Sequence, residues 1–158
     1  MQLSERQQKV VNKLNELEIP FDIHFHPPIP TIEEALNYWK EFDSTHCKNL
    51  FFRNHKGNRH YLVIFDCMKQ LAIHDLEHRL KQGKLSFASE ERLMKYLKLT
   101  PGAVTPLAVI NDEANEVEVV MDESLKNEEL LGVHPCVNTA TVLIKPQELE
   151  RYITEAGN

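Results

Sequence analysis

The chain has 158 residues, 42% of them hydrophobic and 27% charged, which suits a single globular domain and is too apolar for a disordered segment. No run approaches the ~20 apolar residues that cross a bilayer, and the opening MQLSERQQKV lacks the apolar centre of a secretory signal. Cys47, Cys67 and Cys136 contain no C-x-x-C pair, which argues against a disulfide framework or a four-thiolate zinc site and predicts a reducing, cytoplasmic setting. The glycines form no G-x-G-x-x-G or G-x-x-x-x-G-K pattern, so no nucleotide-phosphate loop is expected.

In chain order, Ser4 with Gln7 reads as a capping box, and Val10, Val11, Leu14 and Leu17 recur at helical spacing, predicting a helix over 4–18 that Pro20 ends. Phe21, Ile23 and Phe25 alternate with Asp22, His24 and His26 as in a half-buried strand. The His26–Pro30 run cannot be helical, because residues before proline are pushed to extended geometry. Thr31 with Glu34 caps a second helix that carries Ile32, Ala35, Leu36 and Trp39. The segments 48–53 and 60–65 flank a turn around Gly57 and predict a hairpin, its second strand almost wholly apolar and interior to a sheet.

Residues 74–82 and 89–98 read as helices, Ser89 facing Arg92 without a full box. Pro101-Gly102 is a turn, and 104–110 is strand or loop because Pro106 cannot donate to a ladder. Residues 116–121 predict an edge strand, 139–144 a β-branched strand, and Pro146 the first turn of a terminal helix. Helices interspersed among hairpin-linked strands predict one α/β domain over 1–158 with a mixed, largely antiparallel sheet.

The net charge of -6 argues at first against a nucleic-acid partner, but it is local. Between Asp112 and Glu129 stand eight acids and one base, so the rest of the chain is close to neutral. Exposed charges reach only about 8 Å at physiological salt, and a locally basic face remains open.

Three places hold reactive side chains. Lys48-Asn49 opens the hairpin: on the covered face of the sheet the ammonium would need a partner such as a carbonyl, ester or phosphate, while on the other face it is an ordinary exposed lysine. His134 sits between Gly132, which permits close approach or positive φ, and Pro135; it is either a site residue or a loop histidine bonded to a carbonyl. His24 and His26, and separately His74 and His78, have spacings compatible with half of a metal site, and neither pair has an evident third ligand. Cys67, after an apolar strand, reads as buried.

Taken together, Lys48–Arg53, Tyr61–Ile64, Leu85–Leu93, Leu99–Ala108 and Gly132–Val142 resemble successive motifs of the YbaK-type aminoacyl-tRNA deacylases. Their order and spacing are most similar to the freestanding prolyl-tRNA editing proteins of the ProX and PrdX types, over about Pro20 to Ile144. The resemblance implies a compact α/β domain around a mixed, barrel-like sheet, with surrounding helices. It implies hydrolysis of the ester joining a wrong amino acid to tRNA(Pro), mainly alanine, with cysteine as the alternative and a non-catalytic tRNA-binding module as a further one. Smaller side chains cannot be excluded from a larger synthetic pocket, so a second, hydrolytic sieve is the remedy.

By the same resemblance, Lys48, Asn49, His134 and Gly132 are the catalytic positions, with backbone N–H groups near Gly132 stabilising the oxyanion. Pro135, Arg53 and Thr31 are substrate-binding positions. Arg53, Lys56, Arg59, Arg79, Lys81 and Lys84 are candidate phosphate contacts. No metal or other cofactor is required; mischarged tRNA(Pro) is the implied partner, with prolyl-tRNA synthetase a second and no membrane. The proline-rich 26–30 run and Cys136 depart from the pattern.

Overall fold

The computed structural model describes residues 4–26, 44–101, 103–136 and 139–158. The helix expected from Thr31, and Thr31 itself, lie outside them. Helix α1 spans Glu5–Glu16; Ser4 Oγ accepts from the Gln7 amide and Gln7 Oε1 accepts from the Ser4 amide, so the capping box is closed both ways. Strands β1 (Asp22–Phe25), β2 (Thr45–Arg53) and β3 (His60–Asp66) follow, then α2 (Ile73–Leu80), the short β4 (Ser86–Phe87) and α3 (Glu90–Leu97). Lys81 and Lys98 end α2 and α3 in the left-handed region, shortening the expected helices by one or two residues. Strands β5 (Val117–Met121), β6 (Leu131–Val133) and β7 (Ala140–Ile144) precede the terminal helix α4 (Pro146–Glu155).

The segment left open between strand and loop is a 3-10 helix, Pro106–Asn111. Thr105 Oγ1 accepts from the Leu107 amide, and Pro106 occupies the first turn, where its missing N–H costs nothing.

The sheet runs β1-β7-β6-β2-β3-β5, with β4 also on β2. The β2–β6 and β3–β5 pairs are parallel and the others antiparallel, and β5 is an edge strand as expected. Leu62 and Ile64 of β3 enter the main core with Leu14, Leu107 and Tyr152, whereas Tyr61, Val63 and Phe65 enter a smaller one beside α2. Burial on both faces accounts for the unbroken apolar run of β3, each such side chain contributing about 1.5–3 kcal/mol.

One detail of β2 positions the site. On the edge away from β3, β6 pairs only with Thr45 and His46, and β4 only with Phe52 and Arg53. Between them, no described strand pairs with that edge of β2, and the sheet is split there.

Candidate active site

The split opens into a hollow of about 200 Å³. Lys48 and Asn49 line it from β2, His134 from the bend after β6, and Val104 from the segment before the 3-10 helix. The amine and the imidazole, far apart in sequence, therefore face one space. Lys48 is exposed rather than tucked against the covered face of the sheet, and none of the ion pairs among the described residues involves it.

Asn49 is tethered: its Nδ2 donates to the Val104 carbonyl at 3.3 Å, and its Oδ1 is buried with no hydrogen-bond partner among the described residues. Alternate residues of a strand present their peptide groups to the same edge. On the split edge the Thr45 amide donates to Leu130 O and the Phe51 carbonyl accepts from Ala88. The Asn49 peptide group, between them at the same parity, faces the gap.

His134 Nδ1 lies 3.1 Å from the Ala140 carbonyl. A carbonyl only accepts, so Nδ1 carries the proton and Nε2 is left as an acceptor. Burial, opposed by that hydrogen bond and aided by nearby His26, holds the pKa below its ordinary value, and the ring is neutral near pH 7. The bend continues through buried Pro135 to Cys136, a non-glycine residue at φ 66°. The carbonyl-bonded loop histidine thus also lines the hollow.

His46 is a further wall of this hollow. Its ring meets that of His134 edge-on at 5.9 Å, and its Nδ1 is buried without a partner among the described residues. Burial first, then the charges of His134 and His26, lower its pKa to about 4. Its place follows from the parallel register that sets His46 beside Gly132, and no short-range pattern carries that pairing.

Gly132 lies within β6, flanked by β2 and β7, and is buried behind the hollow rather than on its wall. It has no positive φ. What it provides is close approach: a Cβ there would stand 3.3 Å from Thr141 Cγ2 and 3.7 Å from His46 Nδ1. Arg53 is not at this site. It ends β2 four residues beyond Asn49, about 13 Å along the strand.

Cys47 and Cys67 also reach the hollow, but burial, reinforced by Asp66, raises both thiol pKa values, so neither is a ready nucleophile. Burial pushes Cys136 up to about 12. Of the metal pairs, His26 Nε2 is bonded to Thr141 Oγ1 at 2.9 Å and His74 Nδ1 to Glu77 at 3.1 Å. Among the described residues no group of three His, Cys, Asp or Glu side chains converges as metal ligands. A wider groove of about 460 Å³ between α1 and the 3-10 helix carries none of the motif residues. No helix among the described residues is long and apolar enough to cross a membrane.

The described residues thus form an α/β domain with a split mixed sheet, with a lysine and a neutral histidine across the split. Residues 26–152 match the aminoacyl-tRNA editing domain family, and the chain belongs to it. Within that family it is ProX-like: it is 45% identical over 151 residues to the prolyl-tRNA editing protein ProX of Acetoanaerobium sticklandii, covering 96% of this chain and 92% of the relative. It is 31% identical to the prolyl-tRNA synthetase associated domain-containing protein 1 of Xenopus laevis, covering 96% and 92%. Among solved structures, a candidate trans-editing enzyme for prolyl tRNA synthetase shares the fold with a TM-score of 0.78 at 21% identity, covering 97% of this chain and 94% of that one. The hypothetical protein APE2540 does so with a TM-score of 0.77 at 18% identity, covering 92% and 94%.

Proposed function

We propose that this chain is a trans-editing hydrolase that cleaves the aminoacyl ester of mischarged tRNA(Pro), with alanine the preferred amino acid. The support is one observation: a small hollow that joins Lys48, Asn49 and His134 and contains buried acceptors with no partner among the described residues. A buried polar atom left unpaired costs about 1–3 kcal/mol, and a bound substrate group or an ordered water supplies the partner. Family membership supplies the ester, and the ProX-like similarity supplies the tRNA.

In this reading a water oxygen attacks the ester carbonyl, the carbonyl oxygen becomes an oxyanion, and the ribose oxygen leaves with a proton. His134 Nε2 accepts a hydrogen bond from the water or from the vicinal ribose hydroxyl and so orients it; the neutral ring fits that task. The Lys48 ammonium attracts the developing negative charge or the adjoining phosphate. The Asn49 backbone N–H, facing the gap, is the oxyanion donor proposed here in place of the amides near Gly132, and such a donor is worth roughly 2.7–4 kcal/mol. Asn49 Oδ1 accepts from the substrate α-ammonium. No step calls for a metal.

Specificity in this reading rests on size: a proline ring brings two more carbons than the alanine side chain, and a pocket shaped to the smaller group discriminates by about 1–3 kcal/mol per methylene. Prolyl-tRNA synthetase, which makes the error, is the source of the substrate. Incubation with tRNA(Pro) charged with alanine, cysteine, serine or proline tests the reading. Release of alanine with proline spared is expected. Equal release of alanine and proline removes the size argument, preferential release of cysteine reassigns the substrate, and no release from any of them leaves a tRNA-binding module.

A further inference from the structure

The opposite end of β2 holds a second constellation. The turn between β2 and β3 is fixed by buried Asn54, whose Oδ1 accepts from the Asn58 and Arg59 amides and whose Nδ2 donates to Asn58 Oδ1 and Gln82 Oε1. Against this turn, α3 places Arg92, whose Nη1 donates to the Gly57 carbonyl at 2.8 Å and to His60 Nε2 at 2.9 Å. A Cβ built on Gly57 would stand 3.2 Å from Arg92 Nη2 and 3.3 Å from Arg53 Nη1, so two guanidinium tips close on one point. Lys95 follows one turn later on α3, and Gly57, Arg92, Lys95 and Tyr96 edge a hollow of about 330 Å³, with Arg53 reaching its Gly57 corner.

Two features mark this as a seat for an anion rather than a solvated face. Among the described residues no carboxylate lies within 4.0 Å of Arg53, Arg92 or Lys95, although Glu91 stands on the rim. Convergent like charges repel, and here they are held by carbonyls and by a buried imidazole instead of by counter-charges. His60 is 2% exposed and must accept from Arg92, since a guanidinium has no acceptor. Burial and the charges of Arg92, Lys95 and Arg53 lower its pKa to about 4, which keeps it in the accepting form. The imidazole is itself clamped between Phe51 and Tyr96, with centroids at 5.7 Å and 4.1 Å. Tyr96 is only half-buried, and the Lys95 ammonium lies 5.2 Å from its centroid.

We propose that this hollow is an RNA subsite, in which Arg53, Arg92 and Lys95 hold a phosphodiester and Tyr96 offers a face to an adjoining base, with His60 as the positioning residue behind Arg92. Paired cations beside an aromatic face are the elements of single-strand recognition. This subsite and the Lys48–His134 hollow thus lie along one strand, about 13 Å apart between Asn49 and Arg53. The identity of the RNA as tRNA rests on the editing reading; the phosphate chemistry does not.

The test is binding of uncharged tRNA(Pro) to the full chain across a salt series, followed by fluorescence anisotropy. Arg92→Gln combined with Lys95→Gln is expected to weaken binding at least about tenfold at low salt and to flatten the log–log salt slope by about 1 to 2 units. Lys95→Glu alone, at an exposed position that cannot endanger the fold, is expected to weaken it at least about threefold by the same electrostatic term. Unchanged affinity and slope in Lys95→Glu and in a folded double variant overturn the subsite, as does a wild type with no measurable affinity. Loss of RNA binding in a protein that hydrolyses none of the charged tRNAs keeps the subsite and removes the editing reading. Hydrolysis with unchanged binding in the variants does the reverse.

Discussion

The two ends of β2 are built on opposite electrostatic plans. At the Lys48 end, one exposed ammonium faces two neutral imidazoles and buried polar atoms without a partner among the described residues. At the Arg53 end, three cations gather around a turn with no carboxylate of the described residues at bonding distance. The first suits a small polar group whose charge changes during a reaction, the second a ligand whose negative charge is permanent. A tRNA terminus presents both along one strand, so a single β-strand can read the same molecule twice.

The largest effect that could break this contrast is at the first end. Lys48→Ala is expected to reduce release of alanine from Ala-tRNA(Pro) by at least about 100-fold, as for loss of an electrostatic contact made in the transition state. Its melting temperature should stay at the wild-type value, because the side chain is exposed. Wild-type turnover in this variant would remove Lys48 from the chemistry. His134→Ala should follow, slowing turnover by about 10- to 100-fold. It should also lose about 1 kcal/mol of stability in denaturant titration through the bond to Ala140.

A third comparison uses acid. His46 and His60, one at each end, both have folded-state pKa values near 4 against an ordinary 6.5. The native protein therefore resists protonation that the unfolded chain accepts. The stability these groups contribute is fully present above pH 6.5, falls as the pH drops toward 4 and levels off below. Thermal melts between pH 7 and 4 should show that decline, and His46→Gln should make it shallower; an unaltered profile would mean that His46 takes up protons in the native state. The smallest expected effect is Gly57→Ala. Gly57 sits at φ 72°, where an L side chain costs roughly 1–2 kcal/mol, and the new methyl would press on both guanidinium groups. Its stability should fall by about that amount, measured by denaturant titration.

Much of this was legible in the chain because it is local. The Ser4–Gln7 box, the Ser89 cap, the Gly57 turn and Pro146 at a helix start each act over three or four residues, and all four are where the sequence places them. Lys48, Asn49 and His134, singled out through motif order, line one hollow. His46 was not singled out, because its membership depends on the parallel pairing of β2 with β6. Arg92 and Lys95 escaped for a related reason: on α3 they look like any solvated helix face until the hairpin turn is packed against them. Arg53 stands in the same motif as Lys48, yet it lies about 13 Å along β2 from Asn49, a separation that motif order does not convey. Proline at 106 was read as a ladder breaker, and the hydroxyl of Thr105 turned the same residue into a helix start.

The short parallel contact between Thr45–His46 and Leu131–Gly132 has a consequence for biosynthesis. A ribosome releases the β2–β3 hairpin, lysine included, long before β6 exists, and contacts of such wide sequence separation form slowly. A nascent chain thus carries Lys48 without the His134 bend opposite it. In the proposed mechanism competence arrives only with roughly the last sixth of the polypeptide, so a product terminated before β6 is expected to be inert rather than indiscriminate.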